Sequence, residues 1–298
     1  MKALVIGAGG YVGSRLCDAL TRAGCEVHAA SSRDGTGIAP RTGLLSPQFA
    51  IPAETEVVFY LATSPQHRHG ADAASHLFAV NTFSVVQVAE LARRAGVRRF
   101  LFTSTGNVYA PSFLPLHESS PLRRDDWYAL SKVHAEEVLN LFRNDLEVTV
   151  VRLFGVYGPG QTSRMVPCLV EAVASGQPVT ISPRIDQPHD IEGLRISLCY
   201  VDDVVATLLQ LGRQGGVDCV NVASEEVVSV REIARTIGEL LGTPVRFEIS
   251  ECPRLFDLIA DVTRLKELTP RAFVPFRVGI RRTVMAKQGG HSAACDNA

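Results

Sequence analysis

Net charge is almost absent from this chain: 30 Lys and Arg face 31 Asp and Glu, leaving −1. A chain without a positive field is a poor candidate for nucleic acid or an anionic membrane, although a local basic patch can hide in a neutral sum. No run of 18 apolar residues exists, so no segment reads as a membrane span. The start lacks the charged, apolar and small-residue order of a secretory leader, and the expected location is the cytoplasm. The seven cysteines are Cys17, Cys25, Cys168, Cys199, Cys219, Cys252 and Cys295. They contain no C-x-x-C pair and no zinc-type cluster with His, and they read as reduced thiols instead of a disulfide framework. Internal repeats are missing too. What remains is ordinary for a soluble globular protein of 298 residues: 46% hydrophobic, 20% charged, 24 Gly and 16 Pro. A chain of this length buries about three quarters of its unfolded surface and needs no metal or disulfide staple.

The first 150 residues alternate between two periods. Lys2–Ile6, Glu26–Ala30, Val57–Ala62, Arg99–Phe102 and Glu147–Leu153 read as strands. Helical spacing follows Val12, runs over Asn81–Ala95, and returns over Tyr128–Phe142. Strands alternating with helices predict βαβ units, hence an α/β fold with a Rossmann-type doubly wound parallel sheet. After Leu153 the texture changes to Pro- and Gly-rich sequence with one helix near Val166–Ser175. A strand at Leu198–Val201, a helix at Val204–Leu211 and a helix at Val230–Leu241 follow. The expected division is a dinucleotide-binding domain of residues 1–154 and 198–224. A split substrate lobe would take 155–197 and 225–286, and 287–298 a disordered tail.

Gly7-Ala8-Gly9-Gly10-Tyr11-Val12-Gly13 stands between the first strand and the first helix. Glycines there let backbone N–H groups approach a pyrophosphate closely, and the helix N-terminus adds positive potential. In that strand–turn–helix context the pattern predicts a dinucleotide site, against a tight turn without ligand. An NAD site would carry Asp or Glu at the end of the second strand. Here the residues are Ala30, Ser31, Ser32 and Arg33. Two hydroxyls and a guanidinium suit a 2′-phosphate, so NADP is expected over NAD, unless Arg33 merely sits in a solvated loop.

Tyr128 and Lys132 form Y-x-x-x-K, which a helix puts on one face. A phenol is a poor proton carrier at neutral pH, and a neighbouring ammonium stabilises its phenolate. Tyr128 could then exchange a proton with a hydroxyl or ketone during hydride transfer. Thr105, at the carboxyl end of a strand, could hold the substrate oxygen.

Together these segments resemble an extended short-chain dehydrogenase/reductase of the nucleotide-sugar epimerase/dehydratase type, over about residues 1–285. The marks are G-A-G-G-Y-V-G at Gly7–Gly13, V-V-F-Y-L-A at Val57–Ala62, Asn81 heading a helix, and F-T-S-T-G-N-V-Y at Phe102–Tyr109. They continue with Y-A-L-S-K at Tyr128–Lys132, V-Y-G-P-G at Val156–Gly160, Y-V-D-D-V at Tyr200–Val204, N-V-A-S at Asn221–Ser224 and R-L-F-D at Arg254–Asp257. The resemblance implies a catalytic set of Thr105, Tyr128 and Lys132. Tyr128 would be the acid/base, and Lys132 would lower its pKa and hold the nicotinamide ribose. Cofactor contacts would come from Gly7, Gly10, Tyr11, Val12, Gly13, Ser31, Ser32, Arg33, Leu61, Ala62, Thr63, Asn81 and Lys132. Substrate contacts would come from Ser104, Gly155, Arg195 and Arg254, with Arg254 on a nucleotide diphosphate. A homodimer through Asn81–Ala95 and Tyr128–Phe142 is implied, with no metal.

The chain also departs from that pattern. Dehydratases of the family carry Asp-Glu after the catalytic Thr, whereas Gly106 and Asn107 stand here, which speaks against dehydration. The usual Asn before V-Y-G-P-G is Gly155. The usual G-D-G-x-x-x-R-D-F run is replaced by the longer Ser182–Leu198, where Arg195 falls one position off. His189 and Asp190 in that segment read as a polar surface loop. His67, His69 and His76 follow a strand end; the H-x-H of His67 and His69 invites a metal reading, but no third ligand is apparent and the segment reads as a loop at the cleft mouth. His117 and Glu118 are candidate substrate contacts. The leading expectation is a 4-epimerase or 4-ketoreductase of a nucleotide-activated sugar. The alternatives are an NADPH-dependent reductase of a non-nucleotide carbonyl compound, and a non-catalytic NADP sensor or scaffold.

Overall fold

The computed structural model describes residues 1–66 and 70–295, with side chains to residue 288. Its strands are β1 (Lys2–Ile6), β2 (Glu26–Ala30), β3 (Val57–Tyr60), β4 (Arg99–Thr105), β5 (Glu147–Leu153), β6 (Val156–Tyr157), β7 (Val179–Ile181), β8 (Arg195–Ser197), β9 (Cys199–Tyr200), β10 (Cys219–Val222), β11 (Val227–Ser229) and β12 (Phe247–Ile249). The helices are α1 (Tyr11–Arg22), α2 (Ala74–Phe78), α3 (Ser84–Arg94), α4 (Trp127–Asn140), α5 (Met165–Ala174), α6 (Val201–Gln214), α7 (Val230–Leu241), α8 (Thr263–Leu268) and α9 (Phe276–Cys295).

The chain divides into two units. The first comprises Met1–Ala110, Glu118–Leu153 and Val204–Val222. Its six-stranded sheet runs β10-β5-β4-β3-β1-β2 with every neighbouring pair parallel. This is the doubly wound order, with the direction of winding reversing beside β1. All four residues of β3 are buried, as are Phe100 to Thr105 of β4. Continuous burial explains why these strands read as unbroken apolar runs: parallel sheets are covered on both faces. The register aligns the carboxyl ends, since Ile6 pairs with both Ala30 and Tyr60, and Tyr60 pairs with Phe102. Residues that follow these positions therefore collect along one edge of the sheet. One core cluster includes Leu4, Ile6, Val58, Tyr60, Val85, Val88, Phe100, Phe102 and Leu139. It buries the apolar stripes of α3 and α4.

The second unit comprises Pro111–His117, Phe154–Asp203 and Ala223–Ala298. Three two-stranded pairs build it: β6 with β9 and β7 with β12, both parallel, and β8 with β11, antiparallel. Its core gathers Tyr157, Val166, Val170, Val173, Ile181, Ile196, Leu198, Ile233, Ile237, Phe276 and Ile280. Ser229 caps α7 by accepting from the Glu232 N–H at 3.0 Å, and Gly242 ends it with φ 66°. Four stretches expected in the first unit fall in the second: 111–117, 154, 198–203 and 223–224. Residues 111–117 join the second unit because Asp257 N–H donates to Ser112 O and Leu116 N–H to Ile259 O. Residues 198–203 join it because β9 pairs with β6. The final helix continues to Cys295 through most of the segment expected as a tail. It is anchored by buried Phe276, Ile280 and Val284, and no proline interrupts it. Residues 296–298 lie outside the described residues.

Candidate active site

The glycine turn follows β1 directly. Gly7 has φ +88°, and a Cβ there would lie 2.7 Å from Ala62 N. A Cβ on Gly13 would lie 2.2 Å from Gly7 O. Only glycine fits both places, so α1 starts tight against the ends of β1 and β3. Gly10 N–H closes the turn on Gly7 O at 2.9 Å. Gly10 is the N-cap of α1, with no side-chain cap and no acidic residue in the first turn. The helix N-terminus therefore keeps its positive end uncancelled by a carboxylate. Val12 and Tyr11 are half-buried in that first turn. Leu61 and Ala62 follow β3 half-buried, and Thr63 is exposed. This cradle, shaped by the missing side chains, fits a dinucleotide pyrophosphate.

Ser31 to Arg33 follow β2 on the same edge. Ser31 Oγ accepts from the Arg33 N–H at 2.9 Å. Both side chains border the glycine turn: a Cβ on Gly9 would meet Ser31 Oγ at 3.2 Å and Arg33 Cδ at 3.6 Å. Ser32 and Arg33 are exposed, and among the described residues Arg33 has no salt-bridge partner. The next residue, Asp34, is a carboxylate, but it turns to Thr36, accepting from its N–H at 2.9 Å and its hydroxyl at 2.6 Å. Those bonds hold its carboxyl below the usual range.

Asp126 starts α4 by accepting from the Ala129 N–H at 2.8 Å. Tyr128 is half-buried in the first turn and Lys132 lies one turn on. Lys132 is 2% exposed, donates to Thr103 O at 3.0 Å, and lies 4.6 Å from the Phe102 ring centroid. Burial pulls its ammonium down to about 7, against an upward pull from Glu136. Thr105, 9% exposed, accepts from the Asn107 N–H at 3.2 Å. Its hydroxyl proton stays available for a substrate oxygen.

Asn81, expected at the cofactor, has an internal role. It sits fully buried in a π turn, Ala79–Phe83. Its carbonyl oxygen accepts from the Ser64 N–H at 3.1 Å and the Thr63 hydroxyl at 3.3 Å. Its amide donates to Ser131 Oγ at 3.0 Å. One side chain thus ties the end of β3 to the helix carrying Tyr128 and Lys132. Nearby, Ser64 Oγ meets His76 Nδ1 at 2.8 Å, and His76 Nε2 meets Pro40 O at 3.0 Å. A carbonyl only accepts, so Nε2 carries the proton and Nδ1 accepts from Ser64. Among the described residues no group of His, Cys, Asp or Glu could hold a metal. His67 and His69 lie outside them.

Ser104, expected at the substrate, is 5% exposed and donates to Glu136. Glu136 pairs with Arg152, Nη2 to Oε2 at 2.6 Å. Arg152 also donates to Tyr109 Oη at 2.9 Å, and Tyr109 donates to Asn221 at 2.6 Å. The Asn221 N–H donates to Glu118 Oε1 at 2.8 Å. This buried network locks β4, β5, β10 and α4 together behind Thr105. It uses Glu118 structurally. Glu136 escaped the sequence reading although it stands four residues after Lys132, on the same helix face.

In the second unit Arg254 is 8% exposed and already bonded. It donates to Asp257 Oδ1 at 3.0 Å, Asp190 Oδ2 at 2.8 Å, Ser182 O at 3.1 Å and Asp190 O at 3.3 Å. Arg195 Nη1 donates to Asp190 as well, and the Arg195 N–H to Asp257 Oδ1 at 2.8 Å. The expected diphosphate arginine is therefore neutralised within its own unit. Asp190 is part of this ion-pair cluster, not a free surface carboxylate.

The profile of the NAD dependent epimerase/dehydratase family matches residues 3–223. The chain belongs to that family. Over 318 residues it is 32% identical to the UDP-glucose 4-epimerase of Mycolicibacterium smegmatis, covering 95% of this chain and 97% of the relative. It is 26% identical to the dTDP-4-dehydro-6-deoxy-D-allose reductase of Streptomyces bikiniensis, covering 94% of each. The solved Thermus thermophilus UDP-glucose 4-epimerase complex with NAD superposes with TM-score 0.78 at 24% identity, covering 97% of this chain and 99% of that one. That likeness shows the Rossmann-type α/β fold. The family consists of enzymes that use a nicotinamide dinucleotide, and this chain is one of them. Among the described residues no helix is long and apolar enough to cross a membrane.

Within the family pattern, Gly155 has a local cause. Its φ is +33°, and a Cβ would lie 2.7 Å from Leu198 Cδ2 and 2.9 Å from Ile196 Cδ1. A side chain there would have to displace the tips of Leu198 and Ile196 and adopt a φ that L residues rarely take. Gly155 itself offers only backbone, and its carbonyl accepts from the Cys199 N–H at 3.2 Å.

Proposed function

We propose that this protein is a hydride-transfer enzyme for a secondary alcohol or ketone of a nucleotide-activated sugar, acting as a 4-epimerase. The observation that carries the reading is the joint anchoring of Thr105, Tyr128 and Lys132. Asn81 fixes the α4 helix to β3, and the Ser104–Glu136–Arg152 network fixes it to β4. The M. smegmatis relative supports the substrate class. Gly7, Gly10 and Gly13 with the α1 N-terminus would hold the pyrophosphate of the cofactor, and Ser31, Ser32 and Arg33 its adenosine ribose. A bound nicotinamide dinucleotide supplies or accepts the hydride. Tyr128 passes the proton to or from the substrate oxygen, and Thr105 donates a hydrogen bond to that oxygen. Lys132 in its protonated form stabilises the phenolate of Tyr128.

Arg33 favours a second reading, net 4-keto reduction with NADPH. An exposed guanidinium beside Gly9, without a salt-bridge partner among the described residues, suits a 2′-phosphate, and a reductase draws on a diffusible cofactor. The assay follows conversion of candidate nucleotide sugars together with cofactor redox state. Conversion without net redox marks an epimerase, and stoichiometric NADPH consumption marks a reductase. Tyr128→Phe is expected to lower turnover by about 10²–10⁴-fold while cofactor binding survives. Turnover near wild type in that variant refutes the assignment. Exposed Phe83, just before α3, and Leu141, just after α4, at 53% and 79%, support a homodimer built on these helices.

A further inference from the structure

Two guanidinium forks of the second unit converge on one carboxylate. Arg254 Nη2 reaches Asp190 Oδ2 at 2.8 Å. Arg195 reaches the same oxygen through Nη1 and Oδ1 through Nη2, the latter at 3.2 Å. Two arginines sharing a small oxyanion is an arrangement proteins use to grip phosphate. Here the oxyanion belongs to the chain. Its segment is the long Ser182–Leu198 loop, and the backbone holds it there. The Asp190 N–H donates to Gln187 O at 2.8 Å, and Asp190 O accepts from the Arg184 N–H at 3.2 Å. The Glu192 N–H donates to Asp190 Oδ1 at 3.2 Å. Burial raises the Asp190 carboxyl, but hydrogen bonds from Arg195, the Glu192 N–H and Arg254 outweigh it and leave it at about 2. Asp190 stays an anion throughout the neutral range.

We propose that Asp190 is an internal anion occupying a two-arginine phosphate clamp of Arg254 and Arg195, and that it lowers the affinity of this lobe for a diphosphate. Its consequence for substrate selection rests on the nucleotide-sugar reading above. Without the Asp190 carboxylate, Asp257 is the one carboxylate left within ion-pair distance of the two guanidiniums among the described residues. The local charge becomes positive, and an external oxyanion can take the vacated place. Asp190 is therefore a specificity-determining residue: ligands must compete with it for the arginines.

The test is calorimetric titration of full-length protein with inorganic pyrophosphate, then with UDP, dTDP, GDP and CDP. Wild type is compared with Asp190→Ala and with Asp190→Asn, which keeps the size of the side chain. Both variants are expected to bind pyrophosphate at least about tenfold more tightly than wild type. The gain should vanish when Arg254→Met is added. Asp186→Ala makes the same change in net charge by removing an exposed carboxylate that is hydrogen-bonded to Arg184 and, among the described residues, to neither clamp arginine. It should leave pyrophosphate affinity unchanged. Unchanged or weaker pyrophosphate binding in the Asn variant overturns the proposal, and so does an equal gain in Asp186→Ala. If pyrophosphate tightens but no nucleotide binds any form, the clamp stands and the nucleotide-sugar reading falls.

Discussion

Lys132 is the residue whose replacement separates stability from chemistry most sharply. Its ammonium is 2% exposed and is pulled from 10.5 to about 7, chiefly by burial, with Glu136 opposing. Each pH unit of such a displacement is worth about 1.36 kcal/mol, so the fall sets a ceiling of roughly 5 kcal/mol on what charged Lys132 takes from folding. Lys132→Met removes that penalty and keeps the volume. It also strands Thr103 O, which now accepts from Nζ at 3.0 Å; an unmet buried carbonyl costs about 1–3 kcal/mol. The net expectation is about 2 kcal/mol of added stability near neutral pH, seen as a rise in Tm of roughly 4–8 °C. The sign depends on pH in a defined way. Below about 7 both folded and unfolded chains hold the proton, and wild type bears the whole penalty. Between about 7 and 10.5 only the unfolded chain holds it, so wild type gains on the variant as pH rises. Thermal melts of both proteins at about pH 6 and about pH 9.5 check this, alongside turnover, which the substitution should abolish. A variant no more stable than wild type at the lower pH, or an advantage that fails to shrink at the higher one, refutes the account of Lys132 as a strained buried cation.

Three further outcomes follow from neighbouring residues. Arg33→Ala should weaken NADP binding by about tenfold or more and leave NAD nearly unchanged, because only the 2′-phosphate needs the guanidinium; fluorescence titration with both cofactors measures it. Arg152→Met leaves Glu136 buried and unpaired and should cost about 3–5 kcal/mol in denaturant unfolding, whereas a loss under about 1 kcal/mol would mark an ordinary surface-like pair. Gly155→Asn pushes a Cβ into Leu198 and Ile196 at a positive φ and should cost about 1–3 kcal/mol, so a neutral effect on Tm would refute the packing explanation for the missing family asparagine.

The sheet was legible because its central strands are buried on both faces. Val57–Tyr60 and Phe100–Thr105 have no polar alternation to disguise them, and a parallel sheet needs crossover helices, which supply the second period. The glycine turn was legible because Gly7 and Gly13 answer steric demands that no other residue meets. The second unit was harder. Its strands β6 to β9, β11 and β12 span only two or three residues each, too few to establish a period. Helix α9 was missed beside a Gly-containing tail. Short elements are fixed by tertiary partners, such as the Ser197–Val227 pairing of β8 with β11, and those partners are distant in sequence.

The site divides along the same line. Tyr128, Lys132 and Thr105 could be named from local spacing because helix geometry and a strand end place them. Asn81, Ser104 and Arg254, expected at cofactor or substrate, make internal hydrogen bonds that local spacing does not announce. Their partners are 50, 32 and 64 residues away: Ser131, Glu136 and Asp190. A polar side chain in a motif has two uses, holding a ligand or holding the fold, and sequence spacing does not distinguish them. Burial with every strong partner internal does. Asn81 and Ser104 are buried with their hydrogen bonds directed to Ser64, Ser131 and Glu136. Arg33 remains the cation beside the glycine turn that is exposed and has no salt-bridge partner among the described residues. Cofactor choice should therefore respond to Arg33 far more than to Ser31, whose Oγ already accepts from the Arg33 N–H.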